Sequence, residues 1–331
     1  MKRPGLVELA KLAGVSVSTA SRALSDQSRV SSKTKARIRA LAAEHGFRLN
    51  QTASALRRQR TGAIGVVVPL GHDVDQSLSD PFFMALLGPL ADALAQAGYD
   101  LLLSRIIPSG PGWLDDIITA GRVDGVILIG QSDQTDVIEA AARRSAPIVV
   151  WGANRPGMAQ ITVGTDNRAG GELAARHLVS IGRRRLAFLG DPSVPEFDDR
   201  HAGFHAVIAA TPGVTETILP LHLTERDAYS ETARFLAANP APDGIFAASD
   251  VIAMSAMRAA ADHGLRVPHD VAVVGYDDIG VAAYVVPPLT TIRQDVQVGA
   301  RTLVDLLVRR IAGEPADSVT MPPELILRAS A

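Results

Sequence analysis

Between residues 64 and 276, short and almost wholly apolar runs alternate with longer segments of helical periodicity. The series begins at residues 64–69, 99–104, 123–129 and 147–151, and it restarts after residue 165 with 185–190, 244–248 and 271–276. Strands that are apolar along their whole length are typical of parallel sheets covered by helices on both faces. Two such series predict an α/β protein with two doubly wound parallel-sheet lobes.

The first 48 residues follow a different pattern and predict a small all-α head. Apolar residues recur at helical spacing over 6–13, and Gly14 follows where a left-handed turn residue is favoured. Ser16 is a suitable N-cap for a second helix over 17–24, and a third helix is predicted over 32–45. Two short helices joined by a tight glycine-containing turn predict a helix-turn-helix.

The net charge of −2 conceals an asymmetry along the 331 residues. Residues 1–60 carry a net charge of +10, and the remainder carries −12. A basic segment attached to an acidic body indicates a polyanionic partner for that segment alone. A solvated basic tail is the alternative that composition leaves open.

A helix-turn-helix places the start of its second helix in the major groove of DNA. This directs Val17, Ser18 and Arg22 towards base edges, where Arg22 can donate two hydrogen bonds to guanine and Val17 can touch a thymine methyl group. Phosphate contacts, which position the domain without reading sequence, are predicted for Ser16, Ser21, Arg29, Ser31 and Thr34. A three-helix interaction domain with ordinary surface polar groups is the alternative.

The segment 49–60 is rich in alanine and basic residues and contains neither proline nor glycine. A helix of this length is marginal alone in water, so it is expected to order only when something packs against it. We therefore predict three parts: a head over 1–48, a hinge helix over 49–60 and a body over 61–331. A plain linker is the alternative for the middle part.

Several classes of protein find no support in the sequence. The absence of cysteine excludes a disulfide framework and a cysteine nucleophile. No apolar run is long enough for a membrane span and no signal peptide is recognised, so a cytoplasmic protein without a membrane partner is expected. Phosphate-binding, dinucleotide-binding and nucleophile-elbow glycine motifs are missing, so neither a catalytic site nor a cofactor is predicted.

Two histidines, His201 and His205, stand four residues apart on a predicted helix. The glutamate of a metalloprotease His-Glu-x-x-His motif is missing, because Ala202 follows His201. They are interpreted as surface histidines, and no metal site is predicted.

Polar and aromatic residues lie at or just after the ends of predicted strands, where ligands of doubly wound sheets bind. Ser249 and Asp250 follow one strand, although Asp250 can instead cap the next helix. Stacking on an apolar ring face is predicted for Phe82, Phe83, Trp151 and Tyr229, with core packing as the alternative for each.

The pattern A-x-x-A-G-V-S-x-x-T-x-S-R at residues 10–22 resembles the DNA-binding head of the lactose/galactose repressor (LacI/GalR) family. Residues 163–170, 273–278 and 288–295 resemble the sensor domain of that family, so the resemblance covers nearly the whole chain. It implies a body similar to periplasmic sugar-binding proteins, with a ligand cleft between two lobes. The first lobe would comprise about 62–162 and 292–321, and the second about 163–291 and 322–331.

The resemblance also assigns roles to single residues. It implies that Leu56 inserts into a central base step of the minor groove with Arg57 beside it. It implies ligand contacts for Arg200, whose planar fork can hold two neighbouring hydroxyls or a carboxylate, for Asp277, and for Gln294 on a crossover at the cleft. Structural ion pairs are the alternative for Arg200 and Asp277. Trp151 begins a stretch where many relatives carry aspartate, so no particular sugar is inferred.

Together these features predict a sequence-specific, DNA-binding transcription regulator. We expect a homodimer on a pseudo-palindromic operator, because two symmetric heads need two half-sites. A small sugar-type effector bound in the cleft is expected to release the DNA. A sugar-binding transport protein and a cleft enzyme of sugar metabolism remain as alternatives.

Overall fold

The structure is a computed structural model, and it falls into two units, Met1–Thr61 and Gly62–Ala331. It describes residues 5–24, 30–47, 60–69, 77–108, 110–144, 146–221, 225–237 and 241–331. Three predicted DNA contacts, Arg29, Leu56 and Arg57, and nearly all of the predicted hinge helix lie outside these residues.

The first unit contains the predicted all-α head. Its helices are Leu6–Leu12, Val17–Leu24 and Ser32–Glu44. They enclose a small core that includes Leu9, Ala23 and Ile38, and all three side chains are fully buried. The helical pattern of the sequence therefore gives three amphipathic helices that share one apolar centre.

The first lobe of the second unit is built on a six-stranded parallel sheet with the order β11-β5-β4-β3-β1-β2. Its strands are β1 (Ala63–Pro69), β2 (Asp100–Ile106), β3 (Gly125–Ile129), β4 (Ile148–Trp151), β5 (Thr162–Thr165) and β11 (Val319–Met321). Its helices are Pro81–Gln96, Trp113–Thr119, Thr135–Arg143 and Val296–Ile311, with a short 3-10 helix at Ser132–Gln134. Val66 and Val67 belong to different core clusters, so both faces of β1 are covered.

The second lobe is built on another six-stranded sheet with the order β12-β10-β9-β8-β6-β7. Its strands are β6 (Arg185–Leu189), β7 (Thr215–Leu219), β8 (Gly244–Ala247), β9 (Ala272–Asp277), β10 (Thr290–Arg293) and β12 (Glu324–Ile326). Its helices are Asn167–Ser180, Pro195–Ala209, Glu225–Ala237 and Asp250–Asp262, with a 3-10 helix at Gly280–Ala283. Only β12 is antiparallel to its neighbour.

The chain passes between the two sheets after Thr165, after Arg293 and after Met321. The first two crossings come slightly later than residues 163 and 291, where the resemblance placed them, because β5 and β10 each complete their pairing before the chain leaves the sheet. None of the helices in the described ranges is long and apolar enough to cross a membrane.

Candidate functional site

A cleft of about 730 Å³, including the part open to solvent, lies between the two lobes of the second unit. Its walls include Pro69, Ile129 and Trp151, at the carboxyl ends of strands in the first sheet. From the second sheet it includes Asp277 at the end of β9 and Ser249 just after β8. The carboxyl ends of both sheets therefore face one cavity, which is where doubly wound sheets bind ligands.

Arg200 projects from the helix Pro195–Ala209 and lines this cleft although it is almost wholly buried. Its Nε donates to Oδ1 of Asn167 at 2.8 Å, and its Nη1 donates to the carbonyl oxygen of Ala248. The guanidinium carbon lies 3.6 Å from the centroid of the Tyr276 ring. These contacts fix the plane of the guanidinium before any ligand arrives.

The helix that carries Arg200 packs backbone to backbone against Asn167–Ser180. A Cβ atom added at Gly171 would lie 1.9 Å from the carbonyl oxygen of Arg200, and one added at Gly203 would lie 1.9 Å from that of Arg168. No side chain fits at either position, so the two glycines determine how closely the helices approach and where Arg200 stands.

Asp277 ends β9 with a φ of 118°, a backbone conformation that residues other than glycine rarely adopt. Its Oδ1 accepts a hydrogen bond from Nε2 of Gln294 at 2.8 Å, and both residues line the cleft. Burial raises the pKa of Asp277 to about 7, although Arg200 and Gln294 act in the opposite direction. Near neutral pH this carboxyl can therefore accept a hydrogen bond from a ligand hydroxyl or donate one to it.

Ser249 and Asp250 differ in position although they are neighbours in sequence. Ser249 lines the cleft, and its hydroxyl also caps the helix Asp250–Asp262 by accepting from the amide of Ile252 at 3.2 Å. Asp250 is fully buried and does not line the cleft. Its two carboxyl oxygens accept from the Thr291 hydroxyl at 2.5 Å and from the Ile279 amide at 2.9 Å, so they hold the loop after β9 in place.

Three of the four predicted aromatic contacts, Phe82, Phe83 and Trp151, line the cleft. The ring centroid of Phe82 lies 6.0 Å from that of Trp151 and 6.1 Å from that of Phe83. They form a continuous aromatic wall on the side of the first lobe.

The fourth predicted aromatic contact, Tyr229, lies away from the cleft wall. Its hydroxyl donates to Oδ2 of Asp262 at 2.7 Å, and the guanidinium of Arg258 lies 4.8 Å from its ring centroid. These contacts fix Tyr229 against the helix Asp250–Asp262, and it does not line the cleft.

Three polar or aromatic residues of the cleft wall were not predicted from the sequence: Asp80, Glu196 and Phe197. Glu196 and Phe197 precede Arg200 by one helical turn, so helical spacing around the arginine could have found them. Burial raises the pKa of Glu196. Together with Asp277, the described residues of the wall hold three carboxyl groups and one guanidinium.

Polar contacts join the lobes beside the cleft. Arg155, in the loop after β4, places its Nη2 3.1 Å from Oδ2 of Asp198 and 3.1 Å from the carbonyl oxygen of Pro195 in the second lobe. The amide of Gln131 donates to Oε1 of Glu196 at 3.4 Å. These contacts hold the two lobes close together on this side of the cleft, in what we call the closed arrangement.

The predicted DNA-contacting face lies on the helix Val17–Leu24 in the first unit. Its apolar side buries Ala20 and Ala23, whereas Val17, Ser18 and Arg22 are exposed. These three side chains are therefore available to a partner along one side of the helix.

The serines predicted as phosphate contacts have roles within the head. The hydroxyl of Ser16 accepts from the amide of Thr19 at 3.1 Å, and that of Ser31 accepts from the amide of Thr34 at 3.3 Å. Both serines are exposed helix caps, whereas Ser21 and Thr34 are partly buried. The caps fix the starts of the second and third helices.

Two family models match the chain. Residues 6–50 match the model of bacterial regulatory proteins of the lacI family. Residues 175–331 match the model of a periplasmic binding protein-like domain. The matches correspond to the head and to most of the second lobe with the C-terminal segment.

The same likeness extends over the whole length of known proteins. The transcriptional regulator CelR of Thermobifida fusca is 30% identical over 99% of this chain and 98% of its own. A solved CelR–cellobiose complex is 29% identical over 99% of this chain and all of that one, with a TM-score of 0.72. The Lac repressor dimer bound to operator and the anti-inducer ONPF is 27% identical over 99% of both chains, with a TM-score of 0.83. On these grounds the chain belongs to the lacI family of bacterial regulatory proteins.

Proposed function

We propose that this protein is a homodimeric transcription repressor whose operator binding is released by a small neutral sugar held between its two lobes. The cleft carries this proposal, because it combines an aromatic wall with a few fixed polar groups. That combination suits a sugar, which presents apolar ring faces and hydroxyl edges at once. The likeness to a cellobiose-binding regulator supports the same class of ligand.

The polar groups of the cleft favour an uncharged ligand. Asp80, Glu196 and Asp277 outnumber Arg200, whose Nε and Nη1 already donate to other protein atoms. A sugar phosphate would have to place its negative charge beside these carboxyl groups, and burying such a charge without a partner is costly. Neutral hydroxyls can bond to both kinds of group.

DNA binding is assigned to the head. Its second helix exposes Val17, Ser18 and Arg22 while the opposite side is buried. In helix-turn-helix proteins this face enters the major groove, and the arginine can read guanine. Two such heads related by a two-fold axis would read a pseudo-palindrome, as the dimeric Lac repressor bound to operator illustrates. Operator binding would place the protein in the cytoplasm.

Release of the operator requires the sugar to prefer one arrangement of the lobes. A ligand that contacts both walls stabilises the closed form, in which Arg155 already meets the second lobe. A change in the angle between the lobes would alter the distance between the predicted hinge helices (49–60) of the two subunits. The ligand is bound and released unchanged, so no catalytic turnover is expected.

The experiment is selection of random DNA duplexes by the full chain, with and without a pool of neutral sugars. We expect enrichment of a palindrome that weakens as salt rises, since phosphate contacts release counterions. One sugar of the pool should abolish the enrichment. Separate incubation with that sugar should leave it chemically intact.

Variants separate the two halves of the proposal. Arg22→Ala should lose the palindrome and keep sugar binding, whereas the exposed Arg122→Ala in the body should behave as the parent protein. Failure of the parent protein to enrich any sequence would refute the repressor role. If a sugar phosphate abolishes the enrichment and no neutral sugar does, the proposal of a neutral sugar as the ligand is refuted.

A further inference from the structure

On the outer side of the second lobe, two imidazoles meet one carboxylate. His201 and His205 lie one turn apart on the helix Pro195–Ala209, and Glu216 lies on the edge strand β7. Nε2 of His201 lies 2.8 Å from Oε1 of Glu216, and Nδ1 of His205 lies 2.6 Å from Oε2. The third member comes from another element, so the spacing of the histidines alone could not reveal it.

The three side chains are well placed to act together. The Glu216 carboxyl is about nine-tenths buried and His201 is mostly buried, whereas His205 is 59% exposed. The Phe188 ring centroid lies 5.0 Å from that of His201 and supports it from the core side. Two ligands are thus held by the fold, and the third opens to solvent and provides a path of entry.

The donor set has the chemistry of a zinc site. Two imidazole nitrogens and a carboxylate are ligands that Zn²⁺ takes in three-residue sites, where water fills the fourth position. The nitrogen ligands disfavour Mg²⁺ and Ca²⁺, which prefer oxygen. The three ligand atoms lie within 4.8 Å of one another.

The fit requires the ligand atoms, which lie within 4.8 Å of one another, to shift by between about 0.5 and about 1.5 Å. Tetrahedral zinc with bonds of about 2.0 Å separates its ligand atoms by about 3.3 Å. The nitrogen–oxygen distances here are 2.8 and 2.6 Å, so they must widen by roughly half an ångström. The exposed His205 side chain can supply most of this movement by a change of rotamer.

We propose that His201, His205 and Glu216 form a zinc-binding site on the second lobe, separate from the cleft. The ion would replace the two imidazole–carboxylate hydrogen bonds and link the helix Pro195–Ala209 to β7. Arg200 and Phe197 of the cleft lie on that same helix, so bound zinc would also fix the position of these two residues.

The test uses the full chain freed of metal with a chelator and then dialysed against zinc chloride near neutral pH. We expect one zinc ion per chain in competition with a chromophoric chelator, and a rise in Tm on adding zinc, since an ion that binds only the folded state stabilises it. Cobalt in place of zinc should give the visible absorption of a tetrahedral site.

Three variants make the assignment specific. His205→Asn changes an exposed side chain and should weaken zinc binding at least tenfold, and Glu216→Gln, which keeps the size of the side chain, should do the same. His269→Gln removes an exposed histidine elsewhere on the second lobe and should bind zinc as the parent protein does. Circular dichroism without metal checks that each variant is folded.

The proposal is overturned if the parent protein takes up no zinc in competition with the chelator. It is also overturned if the His205 and Glu216 variants bind as tightly as the His269 variant, because the bound ion would then lie elsewhere. In either case the three side chains form only a hydrogen-bonded charge network.

Discussion

Arg200 and Asp277 are buried in the same cleft, but burial affects the charge of the two side chains differently. Arg200 keeps its charge, because two hydrogen bonds and the Tyr276 ring compensate for lost water. Asp277 has one side-chain hydrogen bond, from Gln294, and its pKa rises to about 7. Of these two groups, Arg200 stays charged, whereas the protonation of Asp277 varies near neutral pH.

This difference predicts how stability depends on pH. The folded state holds the Asp277 proton up to pH about 7, whereas an ordinary aspartate loses it near 3.8. The contribution of Asp277 to the free energy of unfolding is therefore complete below pH 3.8 and is lost as the pH rises to about 7. Asp277→Asn should remove up to ~4 kcal/mol of that loss, at 1.36 kcal/mol per pKa unit.

The measurement is urea unfolding between pH 4 and pH 8 for the parent protein and the variant. Glu314→Gln, the same kind of change at an exposed acid, serves as the control and should follow the parent curve. Parallel curves for all three proteins would show that Asp277 ionises as freely in the folded state as in the unfolded one.

At the scale of elements, the contact between Asn167–Ser180 and Pro195–Ala209 makes the second prediction. Gly203→Ala would place a methyl group against the Arg168 carbonyl oxygen and force the helices apart. We expect a loss of ~1–3 kcal/mol in the free energy of unfolding, the usual cost of overpacking. Binding of the sugar found by selection should also weaken, because Arg200 moves with its helix.

Gly88→Ala provides the matched control for this contact. Gly88 also lies inside a helix, Pro81–Gln96, but an added Cβ would meet nothing within 4 Å. Alanine should there be neutral or stabilising by up to ~1 kcal/mol. Equal effects at the two glycines, measured by unfolding at one protein concentration, would show that the close helix contact is not important.

The elements that were predicted well from the sequence are those marked by a signal within a few neighbouring residues. Apolar runs gave the central strands, and serines and glycines gave the ends of the head helices, because these signals are local. Contacts between distant segments were not predictable in this way. Glu216 meets His201 only through the pairing of β7 with β6, and Asp250 turns from the cleft towards Thr291 on β10.

For the whole molecule, the balance between open and closed lobes makes the third prediction. Arg155→Met removes the ion pairs with Asp198 and Asp199 that cross between the lobes. Because these side chains are only partly buried, the free energy of unfolding should change by less than ~1 kcal/mol. The affinity for the sugar found by selection should fall by about three- to tenfold, since part of the binding energy must now close the lobes.

Arg143→Met is the control for Arg155. It also removes the ion pair of an arginine with a carboxylate, Glu139, but within a single helix. Isothermal titration with the selected sugar should give the parent affinity for this variant. A parent affinity for Arg155→Met as well would mean that the ion pairs contribute nothing to closure.

The proposed dimer leads to the last prediction, at a segment whose apolar side chains one chain leaves uncovered. Val281, Tyr284 and Val286 are 43%, 84% and 93% exposed within six residues. Exposed apolar side chains grouped in this way are typical of a surface that another protein covers. If a second copy covers them, a charge placed there must be buried without a partner, so Val286→Asp should weaken dimerisation by at least ~100-fold.

The control Ile181→Asp changes an apolar residue that is 40% exposed at the end of another helix, and it should leave the dimer intact. Analytical ultracentrifugation distinguishes these cases. A Val286→Asp protein that sediments as the parent does would place the dimer contact on another face. Monomers that still fold and bind sugar, but no longer select the palindrome, would show that operator recognition depends on pairing through this segment.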